Sequence, residues 1–370
     1  MNKTSIIILS HNTLEYTRLC IESIRQLTPA DSYELIVVDN ASRDGSLEWL
    51  RQQQDVRLIE NQVNNGFPAG CNQGMAVSEA GNDLLLLNSD TVVTPRWLEN
   101  MQQALYSNEN IGAVSCVTNC CSNWQQIAAE YDNLEDMLLF ADKYNISNPA
   151  KWEWRPKLVG FCYLIKNAAF RRVGFLDEQF TPGNYEDDDY SLRMTLAGYQ
   201  LVLCRDTFIH HYGSASFKAA ANEKEKAARE QQFIELSLQN EQKLLEKWQI
   251  TKQYIYWHRV TDEVQEPADT EARILVVGCH AGMDLFYLQG KFPHARLTGI
   301  AENIREAALA GRSFEVYHCQ DVERDIFQCL WGTYDYILLC EKQSYYREFD
   351  GYIEKLLPYL SPGGSIHVSD

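Results

Sequence analysis

Three groups of polar side chains, two of them where apolar runs end, have types that suit charge handling rather than packing. Asn88-Ser89-Asp90-Thr91 follows the run Leu84–Leu87. A carboxylate among amide and hydroxyl oxygens offers hard ligands to Mg²⁺ or Mn²⁺, with diphosphate oxygens completing the shell. The same residues also suit a turn or a helix cap. Glu186-Asp187-Asp188-Asp189 places four acids in a row. A carboxyl crowded by like charges has a raised pKa and can act as a general base, while the bland alternative is an acidic first turn favoured by the helix dipole. Ser10-His11-Asn12 and Asp39-Asn40 form the third group. The pair His210-His211 suits a metal or a diphosphate as well as it suits packing. Trp152 and Trp154 offer faces to a sugar, with core or lid packing the alternative. Gly66, Gly70 and Gly74 read as turn or close-approach positions near a ligand.

The elements that must position these groups are β-type runs alternating with helical patterns. Ser5–Leu9 leads into Leu14–Gln26, Glu34–Val38 into Ser46–Gln54, and Val56–Ile59 into a helix near Cys71–Ala80. Asp83–Leu87 is a short apolar strand, Leu158–Ile165 another, and a helix is expected from Ser191 to Ala197. Such alternation predicts a mostly parallel sheet covered on both faces. Ligands of such sheets bind beyond the carboxyl ends of the strands, so Ser10-His11-Asn12, Asp39-Asn40 and Asn88-Ser89-Asp90 should converge on one crevice. Residues 218–271 read as a helical segment and linker, and a new βαβ pattern opens at Arg273–Val277.

Length and composition fit two ordinary globular domains: 370 residues, 45% apolar and 23% charged. A formal charge of −18 argues against nucleic acid and anionic lipid as partners, and requires a cation or local basic patch for any polyanionic ligand. Eleven cysteines without paired spacing argue against a disulfide framework. With neither a signal-type N-terminus nor a run long enough for a membrane span, the expected location is the cytoplasm.

Taken in order, the motifs resemble the family 2 inverting glycosyltransferases of the type A (GT-A) fold, particularly their bacterial rhamnosyltransferase-like branch. The pieces are Ser5-Ile-Ile-Ile-Leu-Ser-His-Asn12, Ile36-Val-Val-Asp-Asn-Ala-Ser42, Asn64-Asn-Gly-Phe-Pro-Ala-Gly-Cys-Asn-Gln-Gly74 and Leu87-Asn-Ser-Asp-Thr91. Gly174-Phe-Leu-Asp-Glu-Gln-Phe180, Glu186-Asp-Asp-Asp-Tyr-Ser-Leu-Arg193 and His210-His-Tyr-Gly-Ser-Ala-Ser216 complete the set. The resemblance implies a nucleotide-sugar-binding, Rossmann-like domain over residues 1–217. It implies Asp39 on the nucleobase, with Ser10, His11, Asn12, Asn64, Gly66, Asn72, Asn88, Ser89 and Glu186 about the donor. Asp90 and His211 would hold Mn²⁺ or Mg²⁺, and Asp187 would be the catalytic base. Asn88 stands where the family's DxD motif has its first carboxylate. The partners implied are a UDP- or dTDP-sugar donor and a glycan, lipid-linked or protein acceptor in cell-surface glycoconjugate synthesis.

Ile274-Leu-Val-Val-Gly-Cys-His-Ala-Gly282 resembles the first motif of S-adenosylmethionine-dependent methyltransferases. That resemblance implies a second, truncated Rossmann-like domain over residues 272–370, with Gly278, Gly282 and Glu302 as its cofactor-binding positions. His280 replaces the middle glycine, and the acid expected after the second strand falls one place late, at Glu302. A decayed domain serving docking, homo-oligomer formation or acceptor recognition is therefore favoured over methyl transfer. The stop at Asp370, before the last strands of such a sheet, raises the expectation of a longer parent protein.

Overall fold

The computed structural model describes residues 2–213 and 223–369. The chain divides into two units, Met1–Leu244 and Leu245–Asp370.

The first unit is built on strands β1 (Thr4–Ser10), β2 (Tyr33–Asp39), β3 (Val56–Glu60) and β4 (Asp83–Asn88), all parallel. The two-residue β5 (Thr91–Val92) follows, then β6 (Ile111–Val117), β7 (Trp152–Arg155), β8 (Cys162–Ile165), β9 (Gln200–Phe208) and β10 (His210–His211). Eight of them form one mixed sheet in the order β3-β2-β1-β4-β8-β6-β9-β7. β8 runs antiparallel to both β4 and β6, and β7 runs antiparallel to β9. β10 pairs with β5 in a separate two-stranded ribbon that places His211 opposite Thr91.

Strand β1 shows why the apolar runs are continuous. Successive side chains point to opposite faces, and both faces are covered. Ile6 and Ile8 join Cys20, Ile21 and Ile24 of the helix Leu14–Leu27 and the buried Trp97. Ile7 joins Cys71 and Met75 of the helix Phe67–Val77. Burying each such aliphatic side chain contributes roughly 1.5–3 kcal/mol. The second helix lies close to β1 because it turns two glycines toward the strand. A Cβ on Gly70 would come 2.3 Å from Leu9 Cδ1, and one on Gly74 would come 2.4 Å from Ile7 Cγ2. These glycines are close-approach positions, and what they admit here is Leu9 and Ile7.

The second unit is a five-stranded parallel sheet of β11 (Arg273–Val277), β12 (Arg296–Ala301), β13 (Glu315–His318), β14 (Tyr334–Lys342) and β15 (Leu360–Ser369). Its order, β13-β12-β11-β14-β15, is that of a doubly wound sheet, with the switch point between β11 and β14. Val260 and Val264 are part of its core. The stretch before residue 270 is therefore packed on this sheet.

Candidate functional site

The register of the first sheet sets Asp39 beside Ser10 and Asn88 beside Leu9, so the carboxyl ends of β2, β1 and β4 are neighbours. Asp39 is fully buried and accepts Ser42 N–H at 3.0 Å through Oδ1. Its Oδ2 is buried with no hydrogen-bond partner. A buried carboxylate oxygen left unpaired is costly, and a donor group on a ligand would relieve it. His11 donates from Nδ1 to the Asn40 carbonyl (2.8 Å), which leaves Nε2 to accept from Asn12 Nδ2 at 3.1 Å. Asn12 itself takes a left-handed backbone, φ 54°, and its Oδ1 accepts Arg43 N–H.

Asn40, named from sequence beside Asp39 but given no role of its own, is the hub of this crevice. Its Nδ2 donates to Asn64 Oδ1 and to the Gly66 carbonyl, and its Oδ1 accepts from Asn61 Nδ2 and Asn65 N–H. Asn64 and Gly66 are thereby tied into a turn. A Cβ on Gly66 would lie 2.8 Å from Pro182 Cα. The amide of Asn72 bonds to Leu176 N–H, the Leu176 carbonyl and Glu178. Ser10 is likewise buried, its hydroxyl against Thr17.

Asp90 is buried on the short link between β4 and β5, with Ser89 Oγ 3.3 Å from Thr13 Oγ1 beside it. Asp90 Oδ1 lies 3.1 Å from His211 Nε2, while His211 Nδ1 donates to the Cys120 carbonyl at 2.8 Å. A neutral His211 with its proton on Nδ1 turns a lone pair on Nε2 toward a carboxylate. Two acceptors so placed need a proton or a cation between them. A metal-binding histidine usually fixes its tautomer by donating its other ring N–H to a carbonyl or carboxylate, and Cys120 supplies that carbonyl. The donor set therefore fits a divalent cation, with Asp90 and His211 as the two protein ligands.

The acid run lies inside a helix, Glu186–Leu196, where a helix starting at Ser191 was expected. The four charges are settled individually. Asp188 pairs with Lys157 Nζ at 2.6 Å, and Asp189 with Arg193 Nε at 2.9 Å. Asp187 accepts Gly160 N–H through Oδ2 (2.8 Å) and Asp188 N–H through Oδ1 (2.9 Å). Burial pushes Asp187 up to about 7 and the Asp188 charge adds to the rise, against the pull of the Gly160 N–H and Lys157. Burial, then the Asp187 charge, holds Glu186 well above the usual carboxylate range. Glu186 Oε2 is buried without a partner.

Gly160 and Phe161, just ahead of β8, join these two groups. Gly160 N–H holds Asp187. The Phe161 ring stacks on His211 with centroids 5.2 Å apart, and its carbonyl accepts Asn88 N–H. Two consecutive residues thus carry the expected base on one side and the expected metal ligands on the other. The loop leading into the acid helix is fixed from further along the chain. Asn240, fully buried on the helix Glu223–Trp248, directs its amide at the carbonyls of Phe180, Gly183 and Asn184. Tyr185 donates to Glu241. Nothing in the sequence pattern distinguishes Asn240, which sits in a run that reads as an ordinary polar helix. Trp152 is a packing residue, its indole N–H on Asp206, whereas Trp154 on the same edge strand is 47% exposed. Ser214 to Ser216, the end of the last quoted motif, lie outside the described residues.

In the second unit the glycine turn forms as expected, Gly278 and Gly282 both having positive φ. His280 stands between them at φ 47°, its Nδ1 3.2 Å from Glu306 and its Nε2 3.3 Å from Glu341. Burial pulls His280 down, but the two carboxylates outweigh it and hold the ring at about 9. The Glu302 carboxylate accepts the Tyr345 hydroxyl.

The first unit thus holds a buried aspartate, an Asp–His pair and a raised carboxyl as its candidate site. Residues 5–174 match the family model described as glycosyl transferase family 2. An uncharacterized protein of Sinorhizobium fredii is 30% identical over 225 residues, 57% of this chain and 24% of that protein. A poly(ribitol-phosphate) beta-glucosyltransferase of Bacillus spizizenii is 32% identical over 96 residues, 25% of this chain and 15% of the enzyme. The chain thus spans no more than about a quarter of the length of these two relatives. A mannosyltransferase from Pyrobaculum calidifontis, solved with GDP-Man and Mn²⁺, aligns over 59% of each chain with a TM-score of 0.44 at 18% identity. Among the described residues, no helix is long and apolar enough to cross a membrane.

Proposed function

We propose that the first unit transfers a glycosyl group from a nucleoside diphosphate sugar, a UDP- or dTDP-sugar, to a hydroxyl of a glycan, lipid-linked or protein acceptor, with inversion at the anomeric carbon. The observation that carries this reading is the Gly160-Phe161 seam, which sets Asp187 against one residue and His211 against the next. Asp187, poised near neutrality, takes the proton from the acceptor hydroxyl. The acceptor oxygen then bonds to the anomeric carbon from the face opposite the diphosphate. The bond from that carbon to the diphosphate oxygen breaks, and the nucleoside diphosphate departs with the electron pair. A divalent cation held by Asp90 and His211 would supply charge neutralisation at the diphosphate. Asp39, with its unpaired Oδ2, is assigned to a donor group of the nucleobase.

Calorimetric titration with UDP, dTDP, GDP and CDP, each with and without Mn²⁺, tests the reading. Tight, metal-dependent binding of one nucleotide is expected. Binding of none would overturn it.

In the second unit, His280 and its two carboxylates occupy the turn where a cofactor would approach the backbone. This supports reading the unit as one without methyl transfer, serving docking or acceptor recognition. Saturable heat on titrating S-adenosylmethionine into the full chain would overturn that part.

A further inference from the structure

The switch point of the second sheet gathers a different kind of side chain from the crevice of the first. His258, Asp284 and Cys340 come from three separate segments: the lead-in before β11, the first turn of the helix Met283–Lys291, and the body of β14. One ligand atom from each lies within 4.8 Å of the others. His258 Nδ1 is 3.0 Å from Asp284 Oδ2, and Cys340 Sγ is 3.8 Å from the same oxygen. Tetrahedral zinc with N, O and S donors sets its ligand atoms roughly 3.3–3.8 Å apart, so the spacing seen is close to that of a formed site. Asp284 and Cys340 are 1% and 2% exposed. Among the described residues no lysine or arginine pairs with Asp284, although a buried carboxylate needs a positive partner. The backbone N–H of His258 donates to Asp284 Oδ1 at 2.6 Å, fixing the carboxylate's orientation as outer-shell bonds do for metal ligands.

We propose that His258, Asp284 and Cys340 bind one divalent transition metal ion in the second unit, zinc being the ion their mixed donors suit. Thiolate and imidazole favour zinc over magnesium or calcium, which take oxygen. Binding replaces the Cys340 thiol proton, which passes to solvent, with a metal–sulfur bond; no electron is transferred. The ion would fasten the lead-in segment to the sheet and to the helix start, leaving a fourth position for water. This site is chemically distinct from Asp90 and His211, whose donor set includes no sulfur.

The test uses the full chain carrying Asp90→Ala, so that the first unit does not compete for metal. After dialysis against a chelator, Co²⁺ is titrated in and the near-ultraviolet thiolate-to-cobalt charge-transfer absorption is followed. About one equivalent of Co²⁺ with that absorption, displaced by Zn²⁺, is expected. In Cys340→Ser the absorption should vanish. In His258→Ala, at a partly exposed position, affinity should fall by more than about tenfold. Circular dichroism melting of each variant checks the fold. No charge-transfer absorption in the Asp90→Ala chain would overturn the proposal, leaving a plain His–Asp pair capped by a thiol. Absorption that survives Cys340→Ser would overturn it by assigning the metal to another cysteine.

Discussion

The substitution Asp187→Asn separates the two jobs its carboxylate performs. Both oxygens accept a backbone N–H, from Gly160 and from Asp188. An amide has one oxygen, so its NH₂ must face one of those donors, and a buried donor is left unmade at a cost of about 1–3 kcal/mol. For a unit of this size that lowers the melting temperature by roughly 2–4 °C per kcal/mol. Transfer should fall much further, by about 10²–10⁴, because the proton acceptor is gone. Nucleotide affinity should stay near wild type, since Asp39, Asp90 and His211 are untouched. In the wild-type chain only the ionised form can accept a proton. With Asp187 at about 7, about one part in eleven is ionised at pH 6 and about ten in eleven at pH 8, so kcat/KM should rise about tenfold between them. The Asp187 charge in turn raises its neighbour Glu186. Released nucleoside diphosphate, measured against pH for both chains, is the assay. A wild-type profile without that rise, or wild-type turnover in Asp187→Asn, would refute the assignment of the base.

Asp90→Ala should remove the Mn²⁺ dependence of nucleotide affinity, and isothermal titration that still shows it would move the metal elsewhere. Gly74→Val forces a branched side chain against Ile7 and should destabilise the first unit by about 1–3 kcal/mol without altering nucleotide specificity; chemical denaturation measures this. Asn240→Ala strips hydrogen bonds from three loop carbonyls and should lower kcat while leaving the nucleotide dissociation constant within about twofold, the local cost being about 1–3 kcal/mol.

Much of this was legible because it is local. Apolar runs of four to seven residues separated by helical periods predict β1 to β4, and chain direction puts Asp39 and Asn88 at the same edge. The antiparallel β8 and the far edge strand β7 carry no such signal, since strand direction is set by pairing partners distant in sequence. The acid run suggested a base, but which carboxyl stays raised depends on Lys157 and Arg193 neutralising its neighbours. The first pairing is tertiary, and the second joins positions i and i+4 of the same helix. The glycines of the helix Phe67–Val77 read as close-approach positions, but sequence does not say what approaches. A glycine that admits a ligand and one that admits Leu9 look alike in sequence, and only the opposing surface tells them apart. The second unit's turn was visible as a motif, while the ring of acids around His280 was assembled from residues up to 61 positions away.

The amide of Asn240 has a consequence for how such a chain can be cut and rejoined. The segment carrying the family likeness ends at residue 174, yet the carbonyls at the mouth of the acid helix are gripped from a helix that begins at Glu223. A chimera joined between the acid helix Glu186–Leu196 and that later helix would keep Asp187 and lose the hand that steadies the loop ahead of it. The heritable module is therefore longer than its recognisable signature, and exchange of the intervening stretch between relatives should alter turnover before it alters the choice of sugar.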